Sequence, residues 1–177
     1  MRQIVYAFID SQNLNLGVQN DVRDRKGYYH DGWKLDFRKF KRFLDDKYRV
    51  DEAYLFIGYK PGNEKLYQFL DDVGYLLIAK PTSVYTDASG RQLTKGNVDT
   101  DIVLHAAARQ FTGFDKAVIV SGDGDFLSLY EYLIENDKLL KIVIPNKYRY
   151  SSLLDKHQKY LHFLNADKAK LELKPKK

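Results

Sequence analysis

Three short segments carry aspartates where an α/β chain does its chemistry. Phe8-Ile9-Asp10-Ser11-Gln12-Asn13 closes one apolar run, and Val120-Ser121-Gly122-Asp123-Gly124-Asp125-Phe126 closes another. Between them, Lys95-Gly96-Asn97-Val98-Asp99-Thr100-Asp101 opens an amphipathic stretch. Carboxylates brought together repel, and each pair that shares a site raises one pKa. A divalent cation placed among them relieves that repulsion. The chain has no Cys and its four His share no ligand spacing, so the donors would all be oxygen. Oxygen donors suit Mg²⁺ or Mn²⁺ better than Zn²⁺. Such an ion activates water and offsets charge on a phosphoryl group. The residues therefore favour metal-dependent hydrolysis of a phosphodiester, with a small phosphate ester as the weaker substrate.

Each aspartate also has a purely structural reading. Asp10 reads as the start of an Asx turn, Asp99 as a cap for a helix beginning at Thr100, and Asp125 as a cap for the apolar helix after it. Asp99 and Asp101 lie two helical residues apart, or ~200° of rotation, so both cannot point squarely inward. Gly122 and Gly124 read as the residues that let the chain turn sharply between strand and helix. Other chemistries lack their signatures. There is no Gly-x-Ser-x-Gly elbow, and Leu127 stands where a dinucleotide fingerprint needs its third glycine. Asp123-Gly124-Asp125 lacks the rest of a calcium loop.

The elements that must position these residues follow from hydrophobic patterning. Ile4–Ile9, Ala53–Ile57, Tyr75–Ala79, Ala117–Val120 and Leu139–Ile144 are short, non-alternating apolar runs, the pattern of strands buried on both faces. Helical spacing appears in Trp33–Tyr48, after Pro61-Gly62, in Thr100–Phe111 and in Phe126–Asn136. Residues 82–97 read as an inserted hairpin or loop, a short helix begins near Ser151 or Ser152, and Tyr160–Leu164 reads as helix or edge strand. This β-α-β alternation predicts an α/β fold, a three-layer doubly wound sandwich around a mostly parallel sheet of about five strands. Sites in such sheets form outside the carboxyl ends of the strands, where all three aspartate segments fall.

The chain has 177 residues, a length for one domain, expected over residues 1–165. Residues 166–177 read as a flexible basic tail, with five Lys in the last ten positions. No apolar run approaches the ~20 residues that span a bilayer, and no secretory cleavage pattern follows Met1, so no membrane contact and a cytoplasmic location are expected. The net charge of +5 is mild, but it is unevenly placed. Residues 22–49 hold ten Lys or Arg against five Asp, together with Tyr28, Tyr29, His30 and Trp33. Cations that track a backbone and rings that stack bases are the means of holding single strands. For Lys34–Tyr48 a solvated helix face is the better reading. Tyr148-Arg149-Tyr150 is a second segment of the same character.

The three acidic segments, taken in order, resemble the motifs of NYN domains, the LabA-like branch of the PIN-like nucleases, over roughly residues 3–165. The resemblance implies a PIN-like sheet, a metal-binding acidic pocket and ribonuclease activity. It places the metal-binding and catalytic acids at Asp10, Asp99, Asp123 and Asp125, and polar positions beside the pocket at Asn13 and Ser121. Family motifs often carry a residue other than Asp where Asp101 stands. Residues and resemblance together predict Mg²⁺ or Mn²⁺ held by Asp10, Asp99 and Asp123, with Asp125 as a further ligand or neighbour. Asn13 would orient the water or a carboxylate, Ser121 would donate to a phosphate oxygen, and Lys95 and Arg91 would bind neighbouring phosphates. The expected partner is RNA, single-stranded or structured, with a homodimer allowed. The competing reading is a non-catalytic RNA-binding or regulatory module that uses the same pocket.

Overall fold

The computed structural model describes residues 2–81, the backbone of 83–86 and 92–95, and residues 98–174. Strand β1 (Val5–Asp10) is apolar on both faces, as a central parallel strand must be. Helix α1 (Ser11–Gln19) follows without a gap, because Asp10 ends the strand in an extended conformation and caps the helix. A small antiparallel hairpin comes next, β2 (Val22–Arg23) with β3 (Tyr29–His30). Helix α2 (Phe37–Tyr48) is capped by Asp36, whose carboxylate accepts from the Arg38 and Lys39 amides. It buries Phe40, Leu44 and Tyr48, and its cations lie off that face, as the solvated reading of 34–48 requires.

Strand β4 (Glu52–Tyr59), helix α3 (Glu64–Val73) and strand β5 (Leu76–Pro81) complete the first half. The hairpin expected over 82–97 is present as β6 (Ser83–Thr86) and β7 (Gln92–Lys95), antiparallel to each other. Helix α4 (Asp99–Leu104) continues through a π-helical turn at His105–Arg109. Strand β8 (Lys116–Val120) leads through a 3₁₀ turn at Gly124–Phe126 into helix α5 (Leu127–Glu135). Strand β9 (Leu139–Ile144), a 3₁₀ segment (Ser152–Tyr160), strand β10 (Leu161–Phe163) and a short helix α6 (Lys168–Leu171) close the chain.

The main sheet runs β10-β9-β8-β1-β4-β5, and every pairing in it is parallel. Counting only these six strands in chain order, the order across the sheet is 3-2-1-4-5-6, that of a doubly wound fold. The switch point, where the winding reverses, lies between β1 and β8. Alternate residues of the strands feed two cores. Ala7, Ile9, Leu55, Val118 and Val120 meet α1, α2, α3 and α6, while Phe8, Phe56, Ile119 and Ile142 meet α4 and α5.

Two expectations are corrected. The sheet has six strands rather than about five, because the ambiguous run at 160–164 is an edge strand paired to β9 through Leu161, His162 and Phe163. The segment from residue 166, expected to be flexible, is packed as far as Leu173. Leu171 is fully buried, its carbonyl accepts from the Asp36 amide at 2.9 Å, and the Leu173 amide donates to the Lys34 carbonyl at 2.7 Å. One apolar side chain and a short backbone pairing outweigh the lysines around them. Among the described residues, no helix is long and apolar enough to cross a membrane.

Candidate acidic site at the sheet edge

Asp10 stands at the carboxyl end of β1, beside the switch point. One carboxylate oxygen accepts the Asn13 amide at 2.9 Å, so the capping role is real. The side chain is also buried, with the residue only 6% exposed. Burial pushes its pKa from 3.8 up to about 6 against the pull of the Asn13 and Gln12 amides, and the charges of Asp99 and Asp123 push it further in the same direction. A cap donor set that should hold the carboxyl ionised is thus outweighed by desolvation and two like charges.

Asp99 comes from the far side of the chain. Its helix is capped by Val98, which contributes no side-chain hydrogen bond, so Asp99 is the first helical residue and not the cap. It is half-buried and acts on Asp10 electrostatically. Asp101, rotated away from it, forms an ion pair with Lys80 at 2.8 Å, in keeping with the angular argument. That pairing takes Asp101 out of the acidic cluster.

The β8 end supplies the third acid and the brace that holds it. The Asn13 side-chain oxygen accepts the Gly122 amide at 2.9 Å, tying the α1 start to the β8 loop. Ser121 is fully buried, its hydroxyl accepts the Asp123 amide at 3.2 Å, and its carbonyl accepts the Tyr130 hydroxyl at 3.4 Å. In this state Ser121 presents no surface to a substrate; it shapes the loop instead of donating to a phosphate. Asp123, not Asp125, caps the following turn, accepting the Asp125 amide at 3.0 Å. Asp125 is exposed and is absent from the charges that act on Asp10. Asp99 and Asp123 are thus within electrostatic range of Asp10, and Asp125 is exposed.

The glycines have a different role from the one expected. Neither Gly122 nor Gly124 adopts the left-handed conformation. A Cβ on Gly122 would lie 3.2 Å from the Tyr150 Cβ, and one on Gly124 would lie 2.3 Å from the Ser151 hydroxyl. They admit the Tyr150–Leu153 segment against the loop, where the Ser151 amide donates to the Gly122 carbonyl at 3.0 Å. Tyr130 is a further buried group beside the acids that the sequence motifs do not mark. It is fully buried on α5, and burial pushes its hydroxyl pKa up, with Asp123 and Asp10 adding to that. Phe126–Asn136 holds two tyrosines, and the signal is that Tyr130 falls on the buried stripe with Phe126, Leu129 and Leu133 while Tyr132 stays exposed.

Arg91 lies outside the described residues, and Lys95 is placed only as backbone in β7. Of the candidate stacking rings, Tyr28 and Tyr29 are exposed, but Trp33 is 7% exposed and belongs to the core, which corrects that part of the expectation. Tyr148 lies parallel to His30, with ring centroids 3.8 Å apart.

The donor set suits a hard divalent cation: oxygen alone, with one buried carboxyl whose ionisation is opposed by two neighbours. Among the described residues, no three His, Cys, Asp or Glu side chains converge as a ready-made cage. Mg²⁺ does not require one, since it keeps several waters and binds through one or two carboxylates plus substrate phosphates.

A protein-family model described as "NYN domain" matches residues 5–165. No curated protein matches the chain. Among solved structures, the chain is similar to the crystal structure of a protein of unknown function, VPA0982, from Vibrio parahaemolyticus RIMD 2210633. The identity is 20%, the match covers 97% of each chain, and the TM-score is 0.68, a likeness that shows a shared fold.

Proposed function

The chain belongs to the NYN domain family, and from that premise we propose that it is a ribonuclease that hydrolyses phosphodiester bonds at the acidic edge between β1 and β8. The observation that supports it most is that buried Asp10, at the end of β1 beside the switch point, feels the charges of Asp99 and Asp123 from two other segments. Asp10 and Asp123, with Asp99 beside them, are the residues proposed to hold Mg²⁺ or Mn²⁺, and Asp125 is the proposed further ligand. When bound, the ion supplies an activated water and offsets charge on the phosphoryl group.

The chain's own contributions are positional. Asn13 holds two parts of the site at once, its amide on Asp10 and its side-chain oxygen on the Gly122 amide. Ser121 fixes Asp123 through the Asp123 amide. Asp10 is buried, so its charge is screened less than that of an exposed carboxylate. Lys95 and Arg91, in the segment just before α4, are proposed to contact phosphates flanking the scissile bond.

The test is incubation of the purified protein with single-stranded and structured RNA, with and without Mn²⁺ or Mg²⁺. Cleavage that requires the ion and is lost in Asp10→Asn and Asp123→Asn is the expected result. Cleavage in chelator, or unchanged in both variants, overturns the proposal. One observation favours a second reading, a module that binds RNA without turnover: among the described residues the acids do not converge as a cage. RNA binding without cleavage at any divalent ion would establish that reading instead.

A further inference from the structure

The β2–β3 hairpin and the loop after β9 wall a cavity of about 410 Å³ whose cations are Arg25, Lys26 and Lys147 and whose rings are Tyr148 and Tyr150. The cavity has two carboxylates, and both are engaged internally. Asp24 accepts the Lys26 amide at 2.9 Å and the Tyr28 amide at 3.0 Å, and pairs with His30 at 3.0 Å. Asp155 accepts the Tyr150 hydroxyl at 2.6 Å. The three cations make no ion pair among the described residues. The result is a concave wall whose acids brace the hairpin and whose bases are free to meet an anion.

The wall is preorganised. His30 stacks on Tyr148 with an interplanar angle of 11°, locking the hairpin to the β9 loop, and the Lys147 ammonium lies 4.8 Å from the Tyr148 ring centre. It is also continuous with the acidic edge. Tyr150 lies against Gly122, and Ser151 donates its amide to the Gly122 carbonyl, one residue before Asp123. In the hairpin turn Tyr28 is 65% exposed and offers an open ring.

We propose that this cavity is a binding track for the sugar-phosphate backbone of single-stranded RNA. Arg25, Lys26 and Lys147 hold successive phosphates, and the hairpin tyrosines take the face of an unpaired base. Cations that follow a backbone beside open rings recognise a strand without reading its sequence, and only an unpaired strand offers its base faces. The inference rests on the ribonuclease reading for one point, that the strand continues to the Asp10–Asp123 edge.

The experiment is fluorescence anisotropy of a labelled single-stranded RNA of about twelve nucleotides. It is run in chelator, so that nothing is cleaved, over a series of salt concentrations. Wild type is expected to bind with a negative log–log salt slope. The triple variant Arg25→Gln, Lys26→Gln, Lys147→Gln is expected to lose at least tenfold in affinity at low salt and about two units of slope, ~0.7 per cation removed. All three are exposed side chains, and a circular-dichroism melt checks that the variant is folded. A folded triple variant with unchanged slope overturns the inference. Displacement of the RNA by polyglutamate as readily as by unlabelled RNA also overturns it, since the wall would then be a general acidic-protein surface. The two readings fail separately. RNA bound as described but never cleaved removes the ribonuclease and leaves the track, whereas Asp10-dependent cleavage with unchanged binding by the triple variant does the reverse.

Discussion

Asp10 does two things with one carboxylate, capping α1 and facing two other acids, and its pKa of about 6 records which of them dominates. An acid whose folded pKa lies above its unfolded value binds its proton more tightly in the native state. Stability therefore falls as pH rises from about 4 to about 6, and above that window ionised Asp10 costs the metal-free protein about 3 kcal/mol. Asp10→Asn removes the charge and keeps a good cap. In chelator at pH 7 this variant should melt several degrees above wild type, while at pH 4 the two should converge. Adding Mn²⁺ at pH 7 should raise the melting temperature of wild type only. Differential scanning fluorimetry across pH 4–8 checks all three, and a variant no more stable than wild type at pH 7 would contradict the burial argument. The presence of Asp10 at a strand end was legible from the sequence. Its raised pKa was not, because that depends on Asp99 and Asp123 arriving from elsewhere in the chain.

The element that decides the site's shape is the β8–α5 connection. Gly124→Ala would set a Cβ 2.3 Å from the Ser151 hydroxyl and 2.9 Å from its Cβ, so the loop or the 3₁₀ segment behind it must move. Overpacking of this kind costs about 1–3 kcal/mol. Asp123 precedes Gly124 directly, so RNA cleavage should fall by more than the loss of folded protein explains; urea denaturation beside a cleavage assay separates the two. The strand ends at Asp10 and Asp123 were readable because buried parallel strands are continuous apolar runs, and their termini are marked where polarity begins. The β2–β3 hairpin was not readable. Its strands are two residues each, Val22–Arg23 and Tyr29–His30, too short for any alternation to register. Nor was the Asn13–Gly122 brace, in which two unremarkable polar groups meet across the fold. The exposed position of Asp125 depended on which of two neighbouring acids caps the turn, a choice that geometry makes and composition does not.

At the scale of the molecule, the doubly wound order explains why the acids gather where they do. The switch point opens a crevice between β1 and β8, and the element before β8 brings its own first residue, Asp99, to the same edge. The C-terminal segment belongs to the opposite concern, closing the core over α2. Leu171→Ala should cost about 2–5 kcal/mol, measured by denaturant titration, while the folded fraction cleaves at the wild-type rate. A lysine-rich terminus concealed this anchor, because composition averages over the one buried leucine that fixes it.

The Asn13–Gly122 bond spans 109 residues, and β1 cannot be flanked on its second side until β8 has been made. Pairing of that range is late and slow in folding, and domains emerge from the ribosome amino end first. A nascent chain thus carries Asp10 through most of its synthesis with no partner acids in place. The acidic edge comes into being only once translation has passed β8, so an unfinished chain holds Asp10 without Asp123 beside it.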